Sequence, residues 1–195
     1  MHMRLKVSKK IHWYFYFAIV LLGVGIGVFG LSLQSLAAPA SPKGGQGSIV
    51  FTAILDKSEY VSDEPVDIIF ILRNQGKNPV YVNKRFFLSS EAALKNQKEV
   101  YATITSPSGK NLSFKSPYET GYPKIDYFVL LEPGQEVQSE YPRNLRGNFE
   151  FTEPGTYTVT AVYQNTFGRE LGLDVFGGKL TAEPVKFVIK NGGGK

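Results

Sequence analysis

Between Ile49 and Lys190 apolar and polar residues alternate in short runs broken by turn chemistry, the period-2 signature of strands with one buried face. Ile49, Phe51, Ala53 and Leu55 line one face of a first strand, and Val66, Ile68, Phe70 and Leu72 one face of a second. Ile69 and Ile71 are apolar too, which suits a central strand covered on both sides. Asp56 to Pro65 is a polar connection that closes with proline just before pairing begins. Asn74-Gln75-Gly76-Lys77-Asn78-Pro79 predicts a tight turn and a hairpin onto Val80-Tyr81-Val82-Asn83. Val100, Ala102 and Ile104 alternate next, with Leu112 and Phe114 pairing back after Ser106-Pro107-Ser108-Gly109. Tyr127, Val129 and Leu131 stop at Glu132-Pro133-Gly134-Gln135, where Pro presets φ and Gly is free to take φ above zero. Val185, Phe187 and Ile189 form the last strand, with Lys186 and Lys190 outward. Only Ser90 to Lys98 reads as helical, for two turns at most. The pattern predicts an all-β, antiparallel fold of seven to eight strands over residues 49–190.

The chain upstream follows different rules. Arg4, Lys6, Lys9 and Lys10 precede an uncharged apolar run from Trp13 to Leu33, followed by Ser35-Leu36-Ala37-Ala38-Pro39-Ala40. Basic flank, apolar core and small-residue end read as an export segment cut after Ala40, or three residues earlier after Ala37. The run of 21 residues also suffices to cross a bilayer, so residues 1–40 are a signal peptide or an N-terminal membrane anchor. Either way the rest of the chain is extracytoplasmic, secreted or periplasmic in one case and tethered in the other. If the leader is uncleaved, membrane contact is expected only through residues 13–33. Ser41 to Ser48 is a Gly/Ser/Pro linker, and residues 191–195 are a Gly-rich tail.

Removing the first 40 residues changes the electrostatics. They carry four of the 22 Lys and Arg and none of the 17 Asp and Glu, which leaves the exported part at +1. No sustained Lys/Arg stripe remains to neutralise phosphates, so nucleic acid is not an expected partner. The absence of cysteine excludes a disulfide staple and acylation of a mature N-terminal Cys. His2 and His12 are the only histidines, both upstream of the exported domain, so no His-Glu-x-x-His zinc helix and no Ser-His or Cys-His pair is available there. No phosphate-cradling G-x-x-x-x-G-K-[ST] loop occurs. No catalytic, cofactor-binding or metal residue is assigned, and no cofactor is expected.

Glu153-Pro154-Gly155-Thr156-Tyr157-Thr158-Val159 brings a turn, a glycine, a tyrosine and a strand together in the order of the corner where an immunoglobulin-like sandwich begins its penultimate strand. The Tyr157 hydroxyl is expected to bond upstream backbone. Val159 stands where an antibody domain carries its second cysteine, and the only tryptophan, Trp13, lies in the leader. The architecture is therefore expected without the antibody landmarks. Read with Leu72-Arg73-Asn74-Gln75-Gly76, Pro79-Val80, Ser106 to Lys110, Leu131 to Gln135 and Phe149-Glu150-Phe151, this corner resembles the β-sandwich module preceding the catalytic domain of deuterolysin-type metalloendopeptidases. It also resembles, more weakly, the bacterial intracellular proteinase inhibitor family. The first resemblance implies a non-catalytic module and the second an inhibitor.

Five carboxylates, Asp56, Glu59, Asp63, Glu64 and Asp67, cluster in sequence. Such a group suits acid/base work, a hard cation or simply a solvated connection, and the ligand rhythm of a Ca²⁺ loop is missing. Asn111-Leu112-Ser113 matches a glycosylation triplet. Three loop segments are richer than scaffolding demands. They are Phe86-Phe87-Leu88 after Lys84 and Arg85, Tyr118 to Tyr122, and Gln164 to Lys179 with Phe167, Leu171, Leu173, Val175 and Phe176. Their aromatics either contact a sugar or protein partner, or tuck beneath the loops as satellite core. The expected function is a non-catalytic extracytoplasmic binding module for an envelope protein or polysaccharide, with a secreted proteinase inhibitor as the alternative.

Overall fold

The computed structural model describes residues 49–93, 99–115 and 121–191. The expected leader, the 41–48 linker, residues 94–98 of the expected helix and all but Asn191 of the tail lie outside the described residues.

The chain is mostly β-sheet, in two larger sheets and one small one. In the first sheet β1 (Ile49–Leu55) pairs antiparallel with β3 (Asp67–Asn74), which takes β8 (Glu136–Gln138) and β9 (Arg143–Asn144) on its other edge. The second runs β2 (Glu59–Val61), β12 (Val185–Lys190), β10 (Gly155–Asn165), β6 (Val100–Thr105), β5 (Leu88–Ser89). Beyond β12, β11 (Gly178–Thr181) pairs with the far end of β10. The small sheet joins β4 (Val80–Asn83) to β7 (Phe128–Leu131).

Several expectations need correction. Twelve strands are present among the described residues rather than seven or eight, because short pieces such as β2, β5 and β9 carry no readable alternation of their own. The pairing is not wholly antiparallel: β2 runs parallel to β12, and β5 parallel to β6. The turn at Asn74 forms, but β4 does not fold back on β3. Asn74 Nδ2 donates to the carbonyls of Asn78 and Leu131, each at 2.9 Å, and its Oδ1 accepts from the Gly76 N–H at 2.8 Å. One buried amide thus closes the turn and ties it to β7, which is the partner β4 takes. Tyr127 lies in a 3₁₀ turn, Ile125–Tyr127, and β7 buries Phe128 and Leu131 instead of alternating from Tyr127. Ser90 to Ala93 forms a turn, with the Ala93 N–H donating to the Ser90 carbonyl at 3.1 Å. Ile69 and Ile71 are only half-buried, although β3 is central in the pairing. Leu112 does pair back, through its N–H to the Ile104 carbonyl at 2.8 Å.

Strand β10 organises the core. At eleven residues it is the longest strand described, and it sends Tyr157, Val159, Ala161, Tyr163 and Asn165 inward. Near its start Tyr157 stacks on Phe187 with ring centroids 5.4 Å apart, and Phe151 and Tyr60 meet Phe187 edge-on. Towards its finish Tyr163 meets Phe51 at 5.8 Å, Phe86 at 6.1 Å and Phe176 at 6.2 Å. Phe51 belongs to the first sheet and Tyr163 to the second, so the two sheets share this apolar interior. Burying each such ring is worth about 1.5–3 kcal/mol.

The corner before β10 has the geometry its sequence implies. Tyr157 Oη donates to the Glu153 carbonyl at 2.7 Å and accepts from the Glu153 N–H at 3.1 Å, so one hydroxyl satisfies both backbone groups of one residue. Gly155 takes φ +126°, and a Cβ there would sit 3.0 Å from the Pro107 ring. The dihedral favours glycine, and any side chain would also press on the proline ring.

Candidate functional site

At the opposite end of β10 the three loop segments singled out by sequence come together. Arg85 Nη1 donates to the Gly121 carbonyl at 3.1 Å, tying the segment around Phe86 to the one ending in Tyr122. The Tyr122 ring lies 5.4 Å from that of Phe167, which ties the second segment to the third. Tyr118 to Thr120 lie outside the described residues.

The anchor for this assembly is a second tyrosine clamp. Tyr163 Oη donates to the Asn83 carbonyl at 3.2 Å and accepts from the Asn83 N–H at 3.1 Å, repeating the Tyr157 pattern on a residue 80 positions away. Burial pushes the Tyr163 phenol well above its usual range, so it remains a donor. Beside it Glu99, which is 2% exposed, gathers three hydrogen-bond donors and an ion pair. Its carboxylate accepts from Asn83 Nδ2 at 2.9 Å, Arg85 Nε at 2.7 Å and the Phe87 N–H at 2.9 Å, and forms an ion pair with Arg85 Nη2. A charge buried so deeply is tolerable only when its lone pairs are this fully used. Arg143 Nη2 donates to the Arg85 carbonyl at 2.9 Å, and burial pulls the Arg143 guanidinium below its ordinary value.

Phe86 sits between these bonds at φ +48°, fully buried. A bulky residue in the left-handed region costs about 1–3 kcal/mol. It is held there from both sides, since the Arg85 N–H bonds Asn83 Oδ1 at 3.0 Å and the Phe87 N–H bonds Glu99.

The long loop after β10 is shorter than its sequence suggests. Gln164 and Asn165 remain in the strand and pair with Lys179 and Gly178, so the connection proper is residues 166–177. Asn165 holds its two limbs together, donating through Nδ2 to the Phe167 carbonyl at 2.8 Å and to the Phe176 carbonyl at 2.7 Å. Gly168, at φ +120°, lets the loop press on the small sheet. A Cβ there would lie 2.6 Å from Val175 Cγ1 and 2.9 Å from Phe128 Cε1. Val175 and Phe176 are buried and Phe167 and Leu173 half-buried, so much of the loop's apolar content is satellite core. What stays outside is Tyr122 at 58% exposure, Ile125 at 56% and Leu171 at 37%.

The carboxylate group behaves differently. Its members are drawn to separate partners: Asp56 accepts from the Tyr60 hydroxyl at 2.5 Å, Glu59 pairs with Lys190, and Glu64 pairs with Lys57 while accepting the Val61 N–H at 3.1 Å. The Lys57 bond holds the Glu64 carboxyl below its usual value, and burial plus the Asp56 bond push the Tyr60 phenol up. Asp63 is exposed, and Asp67 is half-buried opposite Asn144. Among the described residues no three His, Cys, Asp or Glu side chains are grouped to hold a metal ion.

Asn83, Glu99 and Asn165 escaped the sequence reading, although Asn165 was within reach. The inward series from Tyr157 continues by twos to Tyr163 and then to Asn165. Glu99 gives no such signal, because its partners converge on it only in three dimensions. No protein-family model and no curated protein matches the chain.

Proposed function

We propose that the chain is a non-catalytic, extracytoplasmic interaction module of immunoglobulin-like sandwich architecture, exported or tethered by residues 1–40, that presents its binding surface at the Tyr163 end of β10. Two features support the architecture: the tyrosine corner at Tyr157, and a sheet built on β1–β3 sharing a core with one built on β10. The observation that carries the functional reading is the convergence of three loop segments on one buried polar anchor, with Tyr122 and Ile125 left more than half exposed on top. Binding residues concentrate on loops that a rigid scaffold positions, and exposed aromatics are the side chains that anchor partners.

Chemical cross-linking in intact cells, followed by recovery of the protein from the envelope, tests this. Retention of a specific envelope protein or polysaccharide is the expected result. Recovery of neither counts against the reading. Slowing of serine or metallo-endopeptidases at micromolar protein would move it to the inhibitor alternative.

A further inference from the structure

The hairpin of β10 and β11 and the loop folded over it enclose an open cleft of about 460 Å³. That lies within the ~300–1,000 Å³ typical of small-ligand sites. Thr166, Arg169, Val175 and Lys179 line it, together with the glycine backbone at residues 177 and 178. None of its lining residues is acidic. Arg169 and Lys179 are both exposed, and neither forms an ion pair among the described residues. The Arg169 guanidinium lies beside Gly177, where an added Cβ would meet its Nη2 at 3.7 Å. Lys179 Nζ lies over the Tyr101 ring at 5.8 Å, near the outer limit of a cation–π contact. The nearest carboxylates in sequence do not answer these charges. Glu170 Oε2 accepts the Gly168 N–H at 3.0 Å, and Asp174 is exposed and outside the lining.

Two cationic residues in the lining, with no acidic one beside them, raise the cleft's potential and favour an anion there. The geometry is fixed in advance, since Asn165 braces both limbs of the loop and Gly168 is wedged against Val175 and Phe128. A braced loop backbone spares the ordering cost that a floppy loop would add on binding. The concave shape argues against a protein face, which needs about 800 Å² per partner. A hydroxyl at Thr166, followed directly by the Phe167–Tyr122 ring pair, adds the polar and aromatic surfaces that a sugar ring uses.

We propose that this cleft binds the anionic group of an acidic polysaccharide, its carboxylate or phosphate oxygens bridged by Arg169 and Lys179. The assignment rests on the interaction-module reading and names its ligand class.

The test uses the exported protein recovered from its own envelope, titrated calorimetrically with oligogalacturonate, poly(glycerol phosphate) and neutral dextran. Binding to one or both charged polymers, weakened by added salt and absent with dextran, is the expected result. The arm that binds identifies carboxylate or phosphate as the source. Arg169→Ala and Lys179→Ala should each weaken binding by about tenfold or more with unchanged unfolding temperatures. Lys179→Gln provides the charge-loss comparison if either alanine variant is unstable, and Lys186→Ala on β12 should change nothing. No binding to either charged polymer, equal binding to dextran, or full affinity in the charge-loss variants overturns the assignment. If an envelope partner is still captured in that case, the ligand class fails and the interaction reading stands; if none is captured, both fail.

Discussion

The two ends of β10 are built from the same parts and do opposite things. Each has a buried tyrosine whose hydroxyl satisfies the N–H and C=O of one residue, and each has a glycine at strongly positive φ pressed against a neighbour. At the start Tyr157 clamps Glu153, four residues away, and Gly155 meets Pro107, so the corner closes on itself. At the finish Tyr163 clamps Asn83 and Gly168 meets Val175 and Phe128, so the same devices tie together segments distant in sequence. Those segments carry exposed Tyr122, Ile125 and Leu171 and the cations Arg169 and Lys179, which form no ion pair among the described residues. A local clamp fixes one corner, whereas a long-range clamp joins the separate segments that we propose form the binding platform.

The comparison is broken most severely at Glu99. Glu99→Ala leaves Arg85 half-buried without its partner and strips Asn83 and the Phe87 N–H of theirs, for an expected loss of about 3–5 kcal/mol in chemical denaturation. Gly168→Ala should cost about 3 kcal/mol, since its Cβ meets Val175 Cγ1 at 2.6 Å in a backbone conformation that alanine avoids. Gly155→Ala, with contacts at 3.0 Å, should cost about 1–2 kcal/mol, and unfolding midpoints of the two variants give the order.

Tyr163→Phe should lose about 2–3 kcal/mol because both Asn83 groups are left unsatisfied in a buried site. Tyr157→Phe should lose about 1 kcal/mol, its bonds being only part-buried and water able to replace them. Hydrogen exchange should show the first change loosening residues 83–87 and 121–128, and the second loosening only the corner.

Alkali offers a gentler probe. Burial raises the folded-state values of Tyr60, Tyr157 and Tyr163 above the unfolded phenol value of about 10. Above that pH the unfolded chain binds fewer protons than the fold, so the stability present below about pH 10 is lost as pH rises further. Tyr163→Phe should flatten that decline more than Tyr157→Phe, as followed by circular dichroism and phenolate absorbance.

The same difference in range explains what the residues revealed beforehand. Pro154-Gly155-Thr156-Tyr157 predicted its own hydrogen bond because donor and acceptor are four residues apart. Of the platform only the apolar content of its three segments was visible, not their convergence. That depends on Arg85 reaching Gly121 and on Glu99 collecting donors from 83 to 87, contacts with no periodicity to read. The strand count fails for a related reason, since β2, β5 and β9 exist through pairing with β12, β6 and β3 rather than through a pattern of their own.

Site-specific photo-cross-linking in living cells tests the division of β10 into scaffold and platform most directly, with the reactive group placed at Tyr122 in one strain and at Lys186 in another. The account predicts envelope cross-links from position 122 and none from position 186. Equal yields from both positions, or cross-links from position 186 alone, would contradict it.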